Sequence, residues 1–316
     1  MSLIDVRNLS KTYPGANGAV VQAVSDVSFS IGEAEVLGVV GESGCGKSTL
    51  GRSLLRLIEP NSGEIRFGGR DLMTLRRNEM TPLRRDLQII FQDPFGALNP
   101  RHKVGTIIAE PLVVHRVGNR ADRERRVADL LEIVGLPEDA ARRFPHEFSG
   151  GQRQRIAIAR ALALAPKLLV ADEAVSALDV SIQSQIINLI ADLQRRLSLS
   201  IMFISHDLSV IRHVSDRIAV MYLGRIVEIG PTEEIMEAPR HPYTQALLSA
   251  IPHPGVKRRD RVVLHGDLPD PANPPAGCPF HTRCPKVMDI CRTVRPVLAA
   301  PKDGASVAQV ACHLYA

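Results

Sequence analysis

Nine consecutive residues, Gly41-Glu42-Ser43-Gly44-Cys45-Gly46-Lys47-Ser48-Thr49, have the types and spacing to hold a polyphosphate. Glycines let the backbone curl so that successive N–H groups face anionic oxygens, and a following helix adds its own unpaired N–H groups. Lys47 is the cation for the β- and γ-phosphates, and the Ser48 hydroxyl is a ligand for Mg²⁺. Ser149-Gly150-Gly151-Gln152, ahead of a strong helix-forming run, describes a second helix N-terminus open to an anion. Asp172-Glu173 closes one apolar run and Ser205-His206-Asp207 closes another. Cys278, Cys284, Cys291 and Cys312 crowd the C-terminal region, whereas Cys45 stands apart in the glycine loop.

These residues need elements to aim them. Val36 to Val40 is a short apolar run before the loop, and Leu50 to Leu55 reads as the helix after it, so strand, loop and helix follow in order. Leu3 to Asn8 and Val27 to Ile31 alternate as half-buried strands, and Gly63 to Gly69 reads as a short strand with a glycine turn. Leu87 to Phe91, Leu168 to Ala171 and Ile201 to Ile204 are runs of buried-strand length. The last two place Asp172-Glu173 and His206 at carboxyl strand ends, where open α/β sheets bind ligands. Val127, Leu130, Leu131 and Val134 share one helical face, as do Ile182, Ile186, Leu189, Ile190, Leu193 and Leu197. Ile218–Tyr222 and Arg225–Ile229 form a hairpin around Leu223-Gly224, and Thr244 to Ile251 reads as a short helix. Alternating strands and helices give an α/β class.

At 316 residues the chain can bury a large core and carry an appendage. No stretch approaches the roughly 18 apolar residues that span a bilayer. The opening Met-Ser-Leu-Ile-Asp-Val lacks a basic start and apolar core, so a cytosolic chain without a secretory signal is expected. The net charge of +5 lies largely in scattered pairs such as Arg76-Arg77 and Arg195-Arg196, which suit a solvated face better than a nucleic-acid stripe.

Taken in this order, the glycine loop, Ser149-Gly150-Gly151-Gln152, Leu168 to Glu173 and His206 resemble an ABC-type ATPase over about residues 3 to 230. The resemblance implies a P-loop NTPase fold with an antiparallel β subdomain, and ATP with Mg²⁺ as ligands. It implies that Asp172 holds Mg²⁺, that Glu173 polarises the attacking water and that Gln92 touches metal and water. It further implies that His206 contacts the γ-phosphate and Tyr13 stacks on adenine. The Ser149–Gln152 tip and Asp179 are implied to serve the nucleotide of a second ATPase subunit, in a head-to-tail pair. Domains are expected at 1–230, with a helical subdomain at about 93–165, and at 231–316, where prolines cluster.

Longer stretches, Gln92 to Pro100, Ser176 to Gln183 and His241 to Leu248, together with the cysteine tail, resemble the oligopeptide/dipeptide importer branch. That branch implies a non-identical ATPase partner, two transmembrane permease subunits and an extracytoplasmic binding protein. It places the chain peripherally on the inner membrane face, with no nucleic acid. A soluble ABC ATPase acting on nucleic acid or ribosomes is the rival reading. Ala174 stands where the family has proline, and Phe148 where many relatives have leucine.

The tail reads Cys278-x5-Cys284-x6-Cys291-x20-Cys312. Zinc pairs usually sit two to four residues apart, and stable disulfides are foreign to the cytosol. Four thiolates on irregular backbone fit a 4Fe–4S iron–sulfur cluster, with zinc and unliganded thiols as alternatives.

Overall fold

The computed structural model describes residues 2–15, 18–250, 266–302 and 307–316. Its strands are β1 (Ser2–Pro14), β2 (Val20–Gly32), β3 (Val36–Val40), β4 (Ser62–Phe67), β5 (Arg70–Asp71), β6 (Leu87–Ile90), β7 (Leu168–Asp172), β8 (Ser200–Ser205), β9 (Arg217–Tyr222), β10 (Arg225–Pro231) and β11 (Gln309–Val310). Its α-helices are α1 (Lys47–Leu54), α2 (Arg77–Leu83), α3 (Pro94–Ala97), α4 (Val104–Val114), α5 (Arg120–Ile133), α6 (Gly150–Leu162), α7 (Val180–Leu197), α8 (Leu208–Val214), α9 (Thr232–Glu237), α10 (Pro242–Ser249) and α11 (Asp289–Thr293). The chain folds as two compact units. One comprises Gly32–Glu35 and Thr74–Met202, the other Ser2–Ile31, Val36–Met73 and Phe203–Ala316.

The second unit holds the glycine loop. Strands in the order β2-β1-β4-β5 form one sheet, with β1 and β4 antiparallel from Ile4↔Phe67 to Ser10↔Ser62. Both long strands exceed their expected lengths, and in β1 the register shift between Arg7 and Ser10 lets the strand bend past Asn8, at φ 48°, and continue to Pro14. β3 is buried along its whole length and runs parallel to β9, which suits its unbroken apolar sequence. Leu223 and Gly224, both at positive φ, make the two-residue turn into β10, as expected. The tail then returns: β11 pairs antiparallel with β10, covering that edge. Gly230 permits this approach, since a Cβ there would lie 2.4 Å from Ala308 Cβ.

In the other unit β6 and β7 are parallel, and β7 is buried throughout. The helix expected around Val127 begins earlier, at Arg120, because Asn119 and Asp122 cap each other's N–H groups at 3.0 Å. Its Val127, Leu130 and Leu131 are buried as their spacing requires. Along α7, Ile186, Ile190 and Leu193 are buried, but Leu197 is exposed where the helix ends at Ser198, φ 50°. The helix expected over Thr244–Ile251 is α10; Ile251 lies outside the described residues. No helix among the described residues is long and apolar enough to cross a membrane.

Candidate functional site

The glycine loop joins β3 to α1, as its sequence setting requires. Gly44 and Gly46 adopt φ of 80° and 103°, a region closed to most side chains. A Cβ at Gly41 would sit 2.1 Å from Met221 O, and one at Gly46 1.9 Å from Ala23 O. The loop is therefore pressed on backbone beneath it, and Gly224 N–H donates to Cys45 O at 2.9 Å. Gly46 caps α1 without any side-chain hydrogen bond. Lys47 is buried, its Nζ donating to Gly41 O at 2.8 Å and to Glu42 O at 3.0 Å. A curled backbone, a helix start with no side-chain cap and a buried ammonium resting on carbonyls form a cradle whose chemistry fits a triphosphate. Cys45 points into the core, where burial pushes its thiol up and keeps it neutral.

Glu42 has partners that sequence spacing did not reveal. Its N–H donates to Tyr243 Oη at 2.9 Å, and Arg283 grips its carboxylate at 2.7 and 3.1 Å. Tyr243 belongs to the His241–Leu248 stretch, whose sequence points to a family resemblance and not to this contact, and Arg283 carries no local signal. In the same unit Tyr13 is half-buried on β1, with Lys11 Nζ 5.2 Å from its ring centre. His206 is exposed immediately after β8, and the adjoining Asp207 caps α8 through Ser209 N–H at 2.8 Å.

The other unit brings Gln92 and Glu173 together across 81 positions of sequence, Gln92 Nε2 donating to Glu173 Oε2 at 2.8 Å. Asp172 is fully buried at the end of β7. Glu173 follows at φ 46°, a left-handed conformation uncommon outside glycine and concentrated at working sites. The Ser176 N–H and hydroxyl both donate to Glu173 O, at 3.1 and 3.0 Å, and Ala174 is buried, so this turn is held without proline. Ser149 caps α6 in a reciprocal box: Gln152 Oε1 accepts from Ser149 N–H at 3.0 Å, and Ser149 Oγ from Gln152 N–H at 3.4 Å. Ser149 is thus the N-cap of this helix. Gly150 and Gly151 lie against Leu178 and Ile182, where a Cβ on Gly151 would come within 2.5 Å of Ile182 Cγ2. Phe148 is buried beneath the Arg143 guanidinium, 4.3 Å from its ring centre. Asp179 is exposed at the start of α7.

The expected iron–sulfur site is corrected. Among the described residues no group of three or more His, Cys, Asp and Glu side chains is arranged to hold a metal ion, and Cys278, Cys284, Cys291 and Cys312 are free cysteines. Burial pushes the Cys278 thiol up to about 11 and raises those of Cys284 and Cys312, so these side chains are neutral thiols. The described residues of this tail therefore offer no arrangement for metal binding or a 4Fe–4S cofactor. Backbone contacts shape the tail instead, such as Cys278 N–H to Cys291 O at 2.8 Å.

Comparisons with known proteins agree with the nucleotide chemistry. Residues 24–176 match the family described as ABC transporter, and residues 227–291 match the oligopeptide/dipeptide transporter C-terminal region. The chain is 54% identical over 303 residues to a putative peptide import ATP-binding protein of Brucella ovis, covering 96% of this chain and 95% of that one. It is 50% identical over 324 residues to the oligopeptide transport ATP-binding protein AppF of Bacillus subtilis, covering 99% and 98%. Among solved structures, a dimeric ATP-binding cassette in a post-hydrolysis state with ADP and phosphate matches at TM-score 0.66 and 30% identity, over 72% of this chain and 98% of that one. A second, cbiO1 of Clostridium perfringens, matches at TM-score 0.66 and 28% identity, over 75% and 91%. With half its residues shared along nearly its full length, this chain belongs to the ABC transporter family of ATP-binding proteins.

Proposed function

We propose that this chain is the ATP-hydrolysing subunit of an importer for di- and oligopeptides. The observation that carries the ATPase half is the glycine-built loop, with buried Lys47 resting on Gly41 and Glu42 carbonyls ahead of a helix with no side-chain cap. The cargo class is supported by relatives named for peptide and oligopeptide transport and by the match of residues 227–291.

In this reading Gly41 to Thr49 cradle the phosphates with backbone N–H groups, and Lys47 neutralises the β- and γ-oxygens. Tyr13 stacks on the adenine. Ser48, Gln92 and Asp172 would hold Mg²⁺, which would supply positive charge against the phosphate oxygens. Glu173 takes the proton of the attacking water, oriented by the Gln92 amide that it accepts. His206 donates to the γ-phosphate. Ser149, Gly150, Gly151, Gln152 and Asp179 serve the nucleotide of a second ATPase subunit, so ATP closes the pair and hydrolysis reopens it. Two permease subunits turn that motion into transport at the inner membrane face, and an extracytoplasmic protein delivers the cargo. Residues 1–230 carry the engine, with the helical portion near 93–165, and residues 231–316 form the branch-specific extension.

The test is a mild-detergent pull-down of the full chain from membranes, followed by peptide-uptake assays on cells lacking it. Permease subunits in the eluate and lost peptide uptake are the expected results. Nuclease-sensitive association with ribosomes, without membrane proteins, would overturn the proposal.

A further inference from the structure

Glu42 sits one residue into a loop built to receive a polyanion, where an unneutralised carboxylate would repel the incoming charge. The chain answers this from far along its sequence. Arg283 donates from both terminal nitrogens to the Glu42 carboxylate, at 2.7 and 3.1 Å, a fork geometry that fixes direction as well as charge. The Arg283 side chain is 8% exposed and that of Glu42 28%, so the pair is screened little by water. Tyr243 adds a second hold by accepting the Glu42 N–H, while the Glu42 carbonyl accepts from Lys47 and from Cys45 N–H, the latter at 3.2 Å. The base of this arrangement is aromatic. Tyr222 meets Tyr243 and Phe280 edge-on, with centroids 4.7 and 5.3 Å apart, and Tyr243 lies 5.5 Å from Phe280. Arg283 N–H donates to Phe280 O at 3.0 Å, so the guanidinium leaves from a turn fixed by that buried ring.

We infer that Arg283 and Tyr243 are positioning residues for nucleotide binding: the C-terminal extension holds Glu42, neutralises it and sets the phosphate loop in its receptive shape. The inference rests on reading that loop as a triphosphate site. It gives the extension a part in the reaction's first step, separate from any contact with other subunits. Because the effect is electrostatic, it grows with the negative charge of the ligand.

The test measures ATP, ADP and adenosine binding by calorimetry on the full-length chain and on its Arg283→Met, Glu42→Gln, double and Lys47→Ala variants. Arg283→Met is expected to weaken ATP binding about tenfold, ADP less and adenosine hardly at all. Combined with Glu42→Gln, which removes the stranded charge, Arg283→Met should cost almost nothing further. Steady-state turnover should show the loss in KM rather than kcat. Should Arg283→Met fail to fold, Arg283→Lys keeps the charge without the fork and carries the same comparison with a smaller loss. Wild-type ATP affinity in the Arg283 variants beside loss in Lys47→Ala would overturn the clamp and leave the loop assignment standing. Equal losses for ATP, ADP and adenosine that track a lowered melting temperature would also overturn it, as mere destabilisation. Wild-type ATP affinity in Lys47→Ala would sink the loop assignment itself.

Discussion

Glu173 combines three features that few side chains share: a left-handed backbone at φ 46°, a carboxylate accepting from Gln92 at 2.8 Å, and a place directly after buried Asp172. Such a conformation costs on the order of 1 kcal/mol and persists where surrounding contacts over-determine it, here the two bonds from Ser176 to its carbonyl. Glu173→Gln keeps size and hydrogen bonding but loses the carboxylate proposed as the base. ATP binding should stay within about twofold of wild type, while phosphate release falls by roughly 10² to 10⁴. Calorimetry and a phosphate-release assay check both halves, and normal turnover would remove Glu173 from the chemistry. This residue was legible because a short apolar run ending in Asp-Glu has one natural place in an α/β sheet. Its contact with Gln92 was not, since 81 positions separate them.

At the level of elements, glycine marks where backbones must meet. Gly151 lies on α6 against Ile182, whose branched side chain has little freedom to withdraw. Gly151→Ala should lower stability by about 1–3 kcal/mol, read as a fall in denaturation midpoint at unchanged slope. Ser149→Ala removes one half of the α6 capping box and should cost about 1 kcal/mol. Elements with strong local signatures could be read in advance: β3, β7 and β8 from their apolar runs, and α5 and α7 from their periodicity. The tail could not. A five-residue α11 and a two-residue β11 are too short to show any period, and β11 exists only because β10 offers an edge. The cysteine spacing misled for a related reason. Thiol count and spacing do not fix where the side chains lie, and among the described residues they belong to no group arranged to hold a metal ion.

The molecule as a whole should be acid-sensitive in a traceable way. His241 is buried at the start of α10, its Nδ1 accepting from Tyr243 N–H at 3.1 Å, and burial pushes its imidazole down to about 3. Unfolding lets it take a proton at any pH below its ordinary value of 6.5, so stability is lost as pH falls from about 6.5 toward about 3, by roughly 1.4 kcal/mol per pH unit. Glu228, whose carboxylate accepts the His241 N–H at 3.1 Å, works the other way. Burial raises it, so its contribution weakens as pH rises through that raised value. Replacing His241 with Asn keeps a helix-capping acceptor but cannot titrate there. The variant should therefore lose about 2 kcal/mol less than wild type between pH 6.5 and 5, measured by denaturant titration. At the same scale, the Glu173→Gln chain with ATP should form a nucleotide-dependent pair in light scattering, alone or with a sister subunit. A strictly monomeric chain under both conditions would count against the proposed cycle, and EDTA should abolish turnover in the wild type.

Lys47 has further meaning for the energetics of this engine. Its ammonium already rests on two carbonyl oxygens of its own loop, and that loop lies against the carbonyls of Ala23 and Met221. An arriving triphosphate does not find an idle cation. Two carbonyl oxygens have already fixed where the lysine's charge lies, so little freedom of that side chain is left to lose when phosphate is held there. A shelf set in place by its own backbone wastes little binding energy on being ordered.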